Sequence, residues 1–125
     1  MTDKNLVLLI EDDVAVQRVT ARILESFGFE VASAEDVAGG VALMGQRGNE
    51  TTCVLVDYSL KSGTGVDAMN QMRAIDPDLP VIMLSGFPQQ DVEASSGGNP
   101  AWSGFLQKPY SAPELKAAIE TCRRA

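Results

Sequence analysis

Acidic, hydroxyl and amino side chains stand directly after four short apolar stretches of the sequence. Three acids follow LVLLI, one follows CVLV, a serine follows VIML and a lysine follows FLQ; these residues are Glu11, Asp12, Asp13, Asp57, Ser85 and Lys108. Two carboxylates about 5 Å apart repel each other by about 3 kcal/mol at an effective dielectric constant near 20. Acids that meet at one site therefore need a cation, and Mg2+ suits them because it binds one or two carboxylates, a carbonyl and several waters.

The same residue types fit phosphoryl transfer, which asks a protein for positioning and for neutralisation of charge on the phosphoryl oxygens. Asp57 is the candidate nucleophile, since a carboxylate is already ionised at neutral pH and can accept a phosphoryl group as an acyl phosphate. Lys108 would supply a fixed positive charge opposite the metal. Ser85 could donate a hydrogen bond to a phosphoryl oxygen.

Helical patterns separate the apolar runs, which predicts βα units around a parallel sheet. The predicted strands are residues 6–10, 29–33, 53–56, 81–84 and 105–107. They give an α/β fold, a doubly wound (βα)5 sheet with helices on both faces. Such folds place ligands just outside the carboxyl ends of the strands, so the side chains that follow the runs should converge on one rim.

Apolar residues at helical spacing predict the intervening helices. The predicted faces are Val16, Val19, Ile23 and Phe27; Val37, Val41 and Met44; Val66, Met69, Met72 and Ile75; and Leu115, Ala118, Ile119 and Cys122. The last helix begins with SAPE, the pattern of a capping box with proline in the first turn. Residues 88–101 are rich in small residues and predict a short or frayed fourth helix with an irregular approach to the last strand.

Composition narrows the function further. A chain of 125 residues is the size of one domain, assigned here to residues 1–125, and no apolar run approaches the roughly 20 residues that span a bilayer. MTDKN lacks the pattern of a secretory signal, so we expect a cytoplasmic protein without a membrane partner. The net charge of -7 argues against direct nucleic-acid binding.

The histidine and cysteine counts restrict the chemistry. Without histidine and with only Cys53 and Cys122, the chain cannot build a common zinc site or a Ser-His-Asp triad. Both cysteines fit packing thiols in a reducing compartment. Any metal must then be a hard cation held by oxygen.

Each candidate residue also has a purely structural interpretation. Glu11 and Asp12 could cap the first helix, and Asp57 could cap the segment that follows it. Lys108 could be a snorkelling edge residue and Ser85 a turn residue before Gly86. These interpretations would have to hold together by coincidence, because all the groups fall at strand ends in a matching order.

The motifs LLIEDD, VLVDYSL, VIMLSG and FLQKPY, in this order and spacing, resemble the receiver domain of two-component response regulators, the CheY-like family, over residues 5–124. The resemblance implies the flavodoxin-like strand order 2-1-3-4-5. It implies that Asp57 accepts a phosphoryl group from a phosphohistidine on a histidine kinase or histidine phosphotransfer protein, in a Mg2+-dependent reaction. Output would then pass through protein contacts.

Further roles follow from the resemblance alone. Asp12 would bind the metal directly, Glu11 through water, and Ser59 through its backbone carbonyl, with Asp57 completing the site. Ser85 and Phe105 would form the conformational switch, and the bond between Lys108 and Pro109 would be cis. The chain departs from the family pattern at Lys61, where proline is usual, and at the small residues 95–98.

Other functions remain open at this stage. LSGFP and FLQKPY resemble receivers attached to hybrid histidine kinases more than those of transcription factors. A haloacid-dehalogenase-like Mg2+-dependent phosphatase also uses an aspartate nucleophile, but on its first strand in a D-x-D pattern, and a pseudo-receiver would bind partners without phosphorylation. Flavin binding would require a Ser/Thr-rich loop after the first strand. No separate enzyme activity is expected beyond self-catalysed phosphotransfer and autodephosphorylation.

Overall fold

Five parallel strands form the central sheet of the computed structural model, which describes residues 5–98 and 101–124. In chain order they are β1 (Leu6–Ile10), β2 (Glu30–Ala34), β3 (Thr51–Asp57), β4 (Val81–Ser85) and β5 (Gly104–Gln107). The order across the sheet is β2-β1-β3-β4-β5. The predicted flavodoxin-like order is therefore confirmed, and no strand end lies more than two residues from the predicted one.

Five helices connect and cover the strands. They are α1 (Val14–Ser26), α2 (Val37–Arg47), α3 (Gly65–Ile75), α4 (Gln89–Ser95) and α5 (Ala112–Cys122), with a 3-10 turn at Gly48–Glu50. The Ser111 capping box predicted from SAPE is present. The helix α4 is short, as predicted; Asn99 and Pro100 of the same predicted segment, like the N-terminal residues 1–4 and Ala125, lie outside the described residues.

Alternation along the strands divides the core into two layers. In β1, the side chains of Leu6, Leu8 and Ile10 pack with α2 and α3 on one face, whereas Val7 and Leu9 pack with α1 and α5 on the other. Every residue of β1, β3 and β4 is buried, because helices cover both faces of these inner strands. Because these strands are buried on both faces, they hold the residues at their carboxyl ends in defined positions.

The predicted apolar face of α1 was wrong at Val19. Its side chain is 60% exposed, and the buried positions of this helix are Thr20 and Leu24. Val16, Val19 and Ile23 instead line one side of an open cavity whose other side is formed by Pro109 and Tyr110. Ile23 and Phe27 of the predicted face do pack against the core, so the apolar stripe is divided between the core and this exposed surface.

A short antiparallel pair, Ser59–Leu60 with Gly63–Thr64, lies between β3 and α3. This hairpin was not predicted, because each strand has only two residues. It returns the chain to the rim, where Thr64 caps α3 in a capping box with Asp67.

Candidate functional site

The end of β1 brings two acids to the rim in different environments. Glu11 is 1% exposed, and its N–H donates to the carbonyl of Ala34 over 3.0 Å, which continues the pairing of β1 with β2. Asp12 is half-buried. Asp13 turns away and caps α1, with Oδ1 accepting from Ala15 (3.0 Å) and Val16 (3.1 Å). The alternative in which Glu11 or Asp12 is the cap is therefore wrong.

Asp57 is the last residue of β3 and is 8% exposed. Its Oδ1 accepts a hydrogen bond from the Ser59 N–H over 3.1 Å, and the N–H of Tyr58 donates to the Leu84 carbonyl over 2.8 Å. The first of these bonds is an Asx-type turn, so the structural interpretation of Asp57 holds beside the chemical one. Together the two bonds fix the carboxylate at the edge of the sheet.

The helix that follows approaches this edge closely at Gly65. A Cβ there would lie 2.7 Å from the Asp57 carbonyl oxygen and 2.6 Å from the sulfur of Met83. The Gly65 N–H donates to the Tyr58 carbonyl over 2.8 Å. Glycine is therefore required at this position, because any side chain would displace α3 from the backbone that carries Asp57.

Lys108 joins the ends of three strands. It follows β5, its N–H donates to the Ser85 carbonyl over 2.7 Å, and its peptide bond to Pro109 is cis. Its Nζ donates to Oε1 of Glu11 and to Oδ2 of Asp57, each over 2.9 Å. The ammonium group thus bridges the two buried carboxylates, so the interpretation of Lys108 as a snorkelling edge residue is wrong.

The charges of the cluster do not balance. Carboxylate oxygens of Glu11, Asp12 and Asp57 all lie within 4.8 Å of one another, and only one ammonium group contacts them among the described residues. The pKa of Glu11 is raised to about 7, mainly by burial of its carboxyl group and to a smaller extent by a hydrogen bond with Asp57. Burial of Lys108 favours its neutral form, but its hydrogen bonds to Glu11 and Asp57 prevail and raise its pKa. An all-oxygen cluster with surplus negative charge fits a divalent hard cation.

Ser85 ends β4 beside Asp57 and is buried. Its Oγ accepts from the N–H of Phe87 over 2.9 Å, which is the turn interaction proposed for it, and its hydroxyl hydrogen can still be donated. Phe105 lies further from the rim, opposite Met83 in the pairing of β4 with β5. It is half-buried, with its ring centroid 5.4 Å from that of Trp102.

Two polar side-chain contacts near the rim were not predicted from the sequence. The side chain of Gln17 on α1 donates to the carbonyls of Glu11 (3.0 Å) and Ala34 (3.2 Å). Tyr110 interacts with the Thr20 hydroxyl, and its burial raises its pKa. Neither contact has a signal in the sequence, because glutamine and threonine on a helix are ordinarily solvated surface residues.

The chain is similar to proteins of a known family. The sequence pattern of the family described as the response regulator receiver domain matches residues 7–120. The chain belongs to the response regulator receiver domain family. This receiver domain is 31% identical to the photosynthetic apparatus regulatory protein RegA of Rhodovulum sulfidophilum over 90% of the chain and 60% of the relative. It is also 31% identical to the sensor kinase CckA of Brucella abortus, over 91% of the chain and 12% of the relative.

Solved structures agree with this assignment. A response regulator receiver domain protein from Clostridium thermocellum superposes with a TM-score of 0.81 at 26% identity, covering 92% of this chain and 90% of that one. The receiver domain spans less than two thirds of the length of the first curated relatives, which include both regulators and a sensor kinase. Across residues 5–98 and 101–124, none of the helices has the length and hydropathy needed to cross a membrane. Origin in a hybrid kinase stays a prediction.

Proposed function

We propose that Asp57 of this receiver domain accepts a phosphoryl group from a phosphohistidine on a histidine kinase or histidine phosphotransfer protein. The observation that carries the proposal is the bridge from Lys108 to the two buried carboxylates, Glu11 and Asp57, at 2.9 Å each. A half-buried lysine held between two acids at the carboxyl edge of a parallel sheet places a positive charge where ligands of such sheets bind.

The reaction needs little covalent chemistry from the protein. A carboxylate oxygen of Asp57 forms a bond to phosphorus while the bond from phosphorus to the donor's histidine nitrogen breaks, and that nitrogen keeps the electron pair. Asp57 is oriented by the Ser59 N–H and by the Lys108 ammonium group. The ammonium group then offsets negative charge on the transferred group.

Glu11, Asp12 and Asp57 would hold Mg2+, with the backbone carbonyl of Ser59 as a further ligand. When bound, Mg2+ would offset negative charge on the phosphoryl oxygens as they approach the carboxylates. The proximity of three carboxylates and the surplus of negative charge support this assignment. One carboxylate oxygen of Glu11 already accepts a hydrogen bond from Lys108. This supports the expectation that Glu11 contacts the metal through water and that Asp12 is a direct ligand.

The conformational response would begin at Ser85. Its hydroxyl hydrogen can be donated to a phosphoryl oxygen on Asp57, which would draw Ser85 toward the rim. Phe105 lies opposite Met83 in the neighbouring strand and contacts the ring of Trp102, so an inward movement of Phe105 would change the surface that Trp102 occupies. Because Phe105 has no hydroxyl, burial alone would stabilise its inward position.

The phosphodonor has a suitable surface beside the site. A cavity of about 420 Å³ lies between α1 and the residues after Lys108, and it is lined by Val16, Val19, Ile23, Pro109 and Tyr110 among others. Exposed apolar area next to a reactive group favours a protein partner over a small substrate. A cytoplasmic location belongs to the same proposal, since both cysteines are free thiols and fit a reducing compartment.

Mass spectrometry of the intact protein tests the proposal. We expect one phosphate adduct after incubation with phosphoramidate and Mg2+, and no adduct with Asp57→Asn or with a chelator. Asp78→Asn, at an exposed acid in the loop after α3, is the matched control and should be labelled normally. An adduct that persists in Asp57→Asn would refute the assignment of the phosphoacceptor.

The same experiment separates the alternatives. A haloacid-dehalogenase-like phosphatase would hydrolyse unrelated phosphomonoesters continuously, whereas a receiver would leave them intact and carry at most one phosphate per chain at a time. The position of Asp57 on the third strand, together with the family assignment, disfavours the phosphatase. A pseudo-receiver would remain unlabelled under all conditions.

A further inference from the structure

Gln17 ties the acidic loop at the end of β1 to the edge of the sheet. Its Nε2 donates to the carbonyl of Glu11 over 3.0 Å and to the carbonyl of Ala34, the last residue of β2, over 3.2 Å. The Ala34 carbonyl also accepts the N–H of Glu11 over 3.0 Å. One side-chain amide therefore fastens the first turn of α1 to the ends of two strands.

This contact acts on the peptide between Glu11 and Asp12. The carbonyl of Glu11 belongs to that peptide, so its direction sets where the backbone carries Asp12. Three successive acids, Glu11 to Asp13, repel one another and favour separation of their side chains. Asp13 is already fixed as the cap of α1, and Gln17 donates its own N–H to the Asp13 carbonyl over 2.8 Å.

Glutamine is well suited to this position. Its amide nitrogen carries two hydrogens, one for each carbonyl, and adds no charge beside the acids. Methionine has similar length without a donor, and glutamate has no donor and adds a repelling charge. Asparagine keeps the amide but is one methylene shorter, so it cannot span both carbonyls from the same helix position.

We propose that Gln17 is a positioning residue for the metal site, which holds the carboxylate of Asp12 beside those of Glu11 and Asp57 before the ion binds. The inference rests on the proposed function, since it assumes that these carboxylates bind Mg2+. Groups that orient metal ligands from outside typically contribute a factor of about 10 to 100 in metal affinity.

The test is a titration of the 15N-labelled protein with Mg2+ alone, followed by amide chemical shifts. Gln17→Met should raise the Mg2+ Kd by about tenfold or more, and Gln17→Asn should change it in the same direction. Gln71→Met, at an exposed position of α3, is the matched control and should leave the Kd unchanged. Labelling by phosphoramidate should slow at low Mg2+ in Gln17→Met and return to the wild-type rate at saturating Mg2+.

The outcomes distinguish this inference from the proposed function. A folded Gln17→Met or Gln17→Asn protein with a Mg2+ Kd within twofold of wild type would overturn the role of Gln17. If Gln17→Met does not fold, Gln17→Asn decides by the same criterion. Absence of Mg2+-dependent shifts in the wild-type protein would instead overturn the metal site itself, and with it the proposed function. A labelling defect that saturating Mg2+ does not restore would also count against a role in metal positioning.

Discussion

Neutralising Asp12 should stabilise the metal-free protein while removing most of its stabilisation by Mg2+. Carboxylate oxygens of Asp12, Glu11 and Asp57 lie within 4.8 Å of one another, and Lys108 contacts only the latter two. Asp12→Asn therefore removes two like-charge repulsions without breaking an ion pair. At this separation, each repulsion amounts to about 3.5 kcal/mol for an effective dielectric constant near 20.

The net gain should be smaller, because Asp12 is half-exposed and solvent screens its charge. We expect about 1 kcal/mol, which corresponds to a rise of about 4 °C in Tm for a domain of this size. The measurement should be made at pH 8. Burial raises the pKa of Glu11 to about 7, and Glu11 must be ionised for its repulsion with Asp12 to be present.

Magnesium should reverse the order of the two proteins. At an ion concentration of about 100 Kd, the wild-type protein gains about 2.7 kcal/mol of stability. A direct ligand should matter at least as much as an outer group, whose loss costs up to about 100-fold in metal affinity. With an about 100-fold weaker site, Asp12→Asn gains only about 0.4 kcal/mol at the same concentration. In Mg2+ the variant keeps about 1.0 kcal/mol from the lost repulsion and about 0.4 kcal/mol from the ion, against about 2.7 kcal/mol for the wild-type protein. The wild-type protein should then be more stable than Asp12→Asn by about 1.3 kcal/mol.

The assay is thermal unfolding by circular dichroism in EDTA and in excess Mg2+, with Asp78→Asn as the exposed control. A lower Tm for Asp12→Asn in EDTA would refute the argument from repulsion. Equal Mg2+ stabilisation of wild type and variant would refute the assignment of Asp12 as a ligand. The two parts of the reasoning therefore fail separately.

Three further predictions follow from the described contacts. Lys108→Met should lower the free energy of unfolding in metal-free urea titrations by about 3 kcal/mol, because it leaves two buried carboxylates without their cation. Cys53, whose pKa is raised by burial to about 12 from an ordinary 9.0, should resist iodoacetamide until the protein unfolds. The unfolded chain then loses its Cys53 proton first, so this contribution to stability is complete below pH 9 and is lost as the pH rises toward 12. Val19→Lys should slow phosphotransfer from a phosphorylated protein donor by about tenfold, without slowing labelling by phosphoramidate.

Each of these predictions has a matched control. Lys61→Met, at an exposed lysine, should change the free energy of unfolding by less than about 0.5 kcal/mol. A Cys53→Ser protein that loses stability between pH 9 and 12 as the wild type does would contradict the titration argument. Ala42→Lys, on the exposed side of α2, should not affect transfer from the protein donor. If Val19→Lys slows labelling by phosphoramidate as much as transfer from the protein donor, Val19 affects the phosphorylation site at Asp57 and not the docking of the donor.

The positions of the strands were the most predictable part of the fold, whereas their order was implied by the resemblance to the receiver family. Apolar runs that end in polar residues marked the inner strands β1, β3 and β4 most clearly, because inner strands of a parallel sheet are covered on both faces. The capping box at Ser111 was equally direct, since it depends on residues three apart in the chain. The face of α1 was less predictable at Val19, because helical periodicity does not say what packs against a stripe.

The sequence by itself determined which residues can do chemistry here. The carboxyl ends of four strands of one parallel sheet carry Glu11, Asp12, Asp57, Ser85 and Lys108, so their convergence on one rim is a consequence of chain direction. Only the tertiary structure decided how they share that rim: which acids the lysine bridges, and that Gln17 joins the loop after β1 to the end of β2. These are contacts across up to 97 positions in sequence, and their geometry depends on the packing of the helices against the sheet.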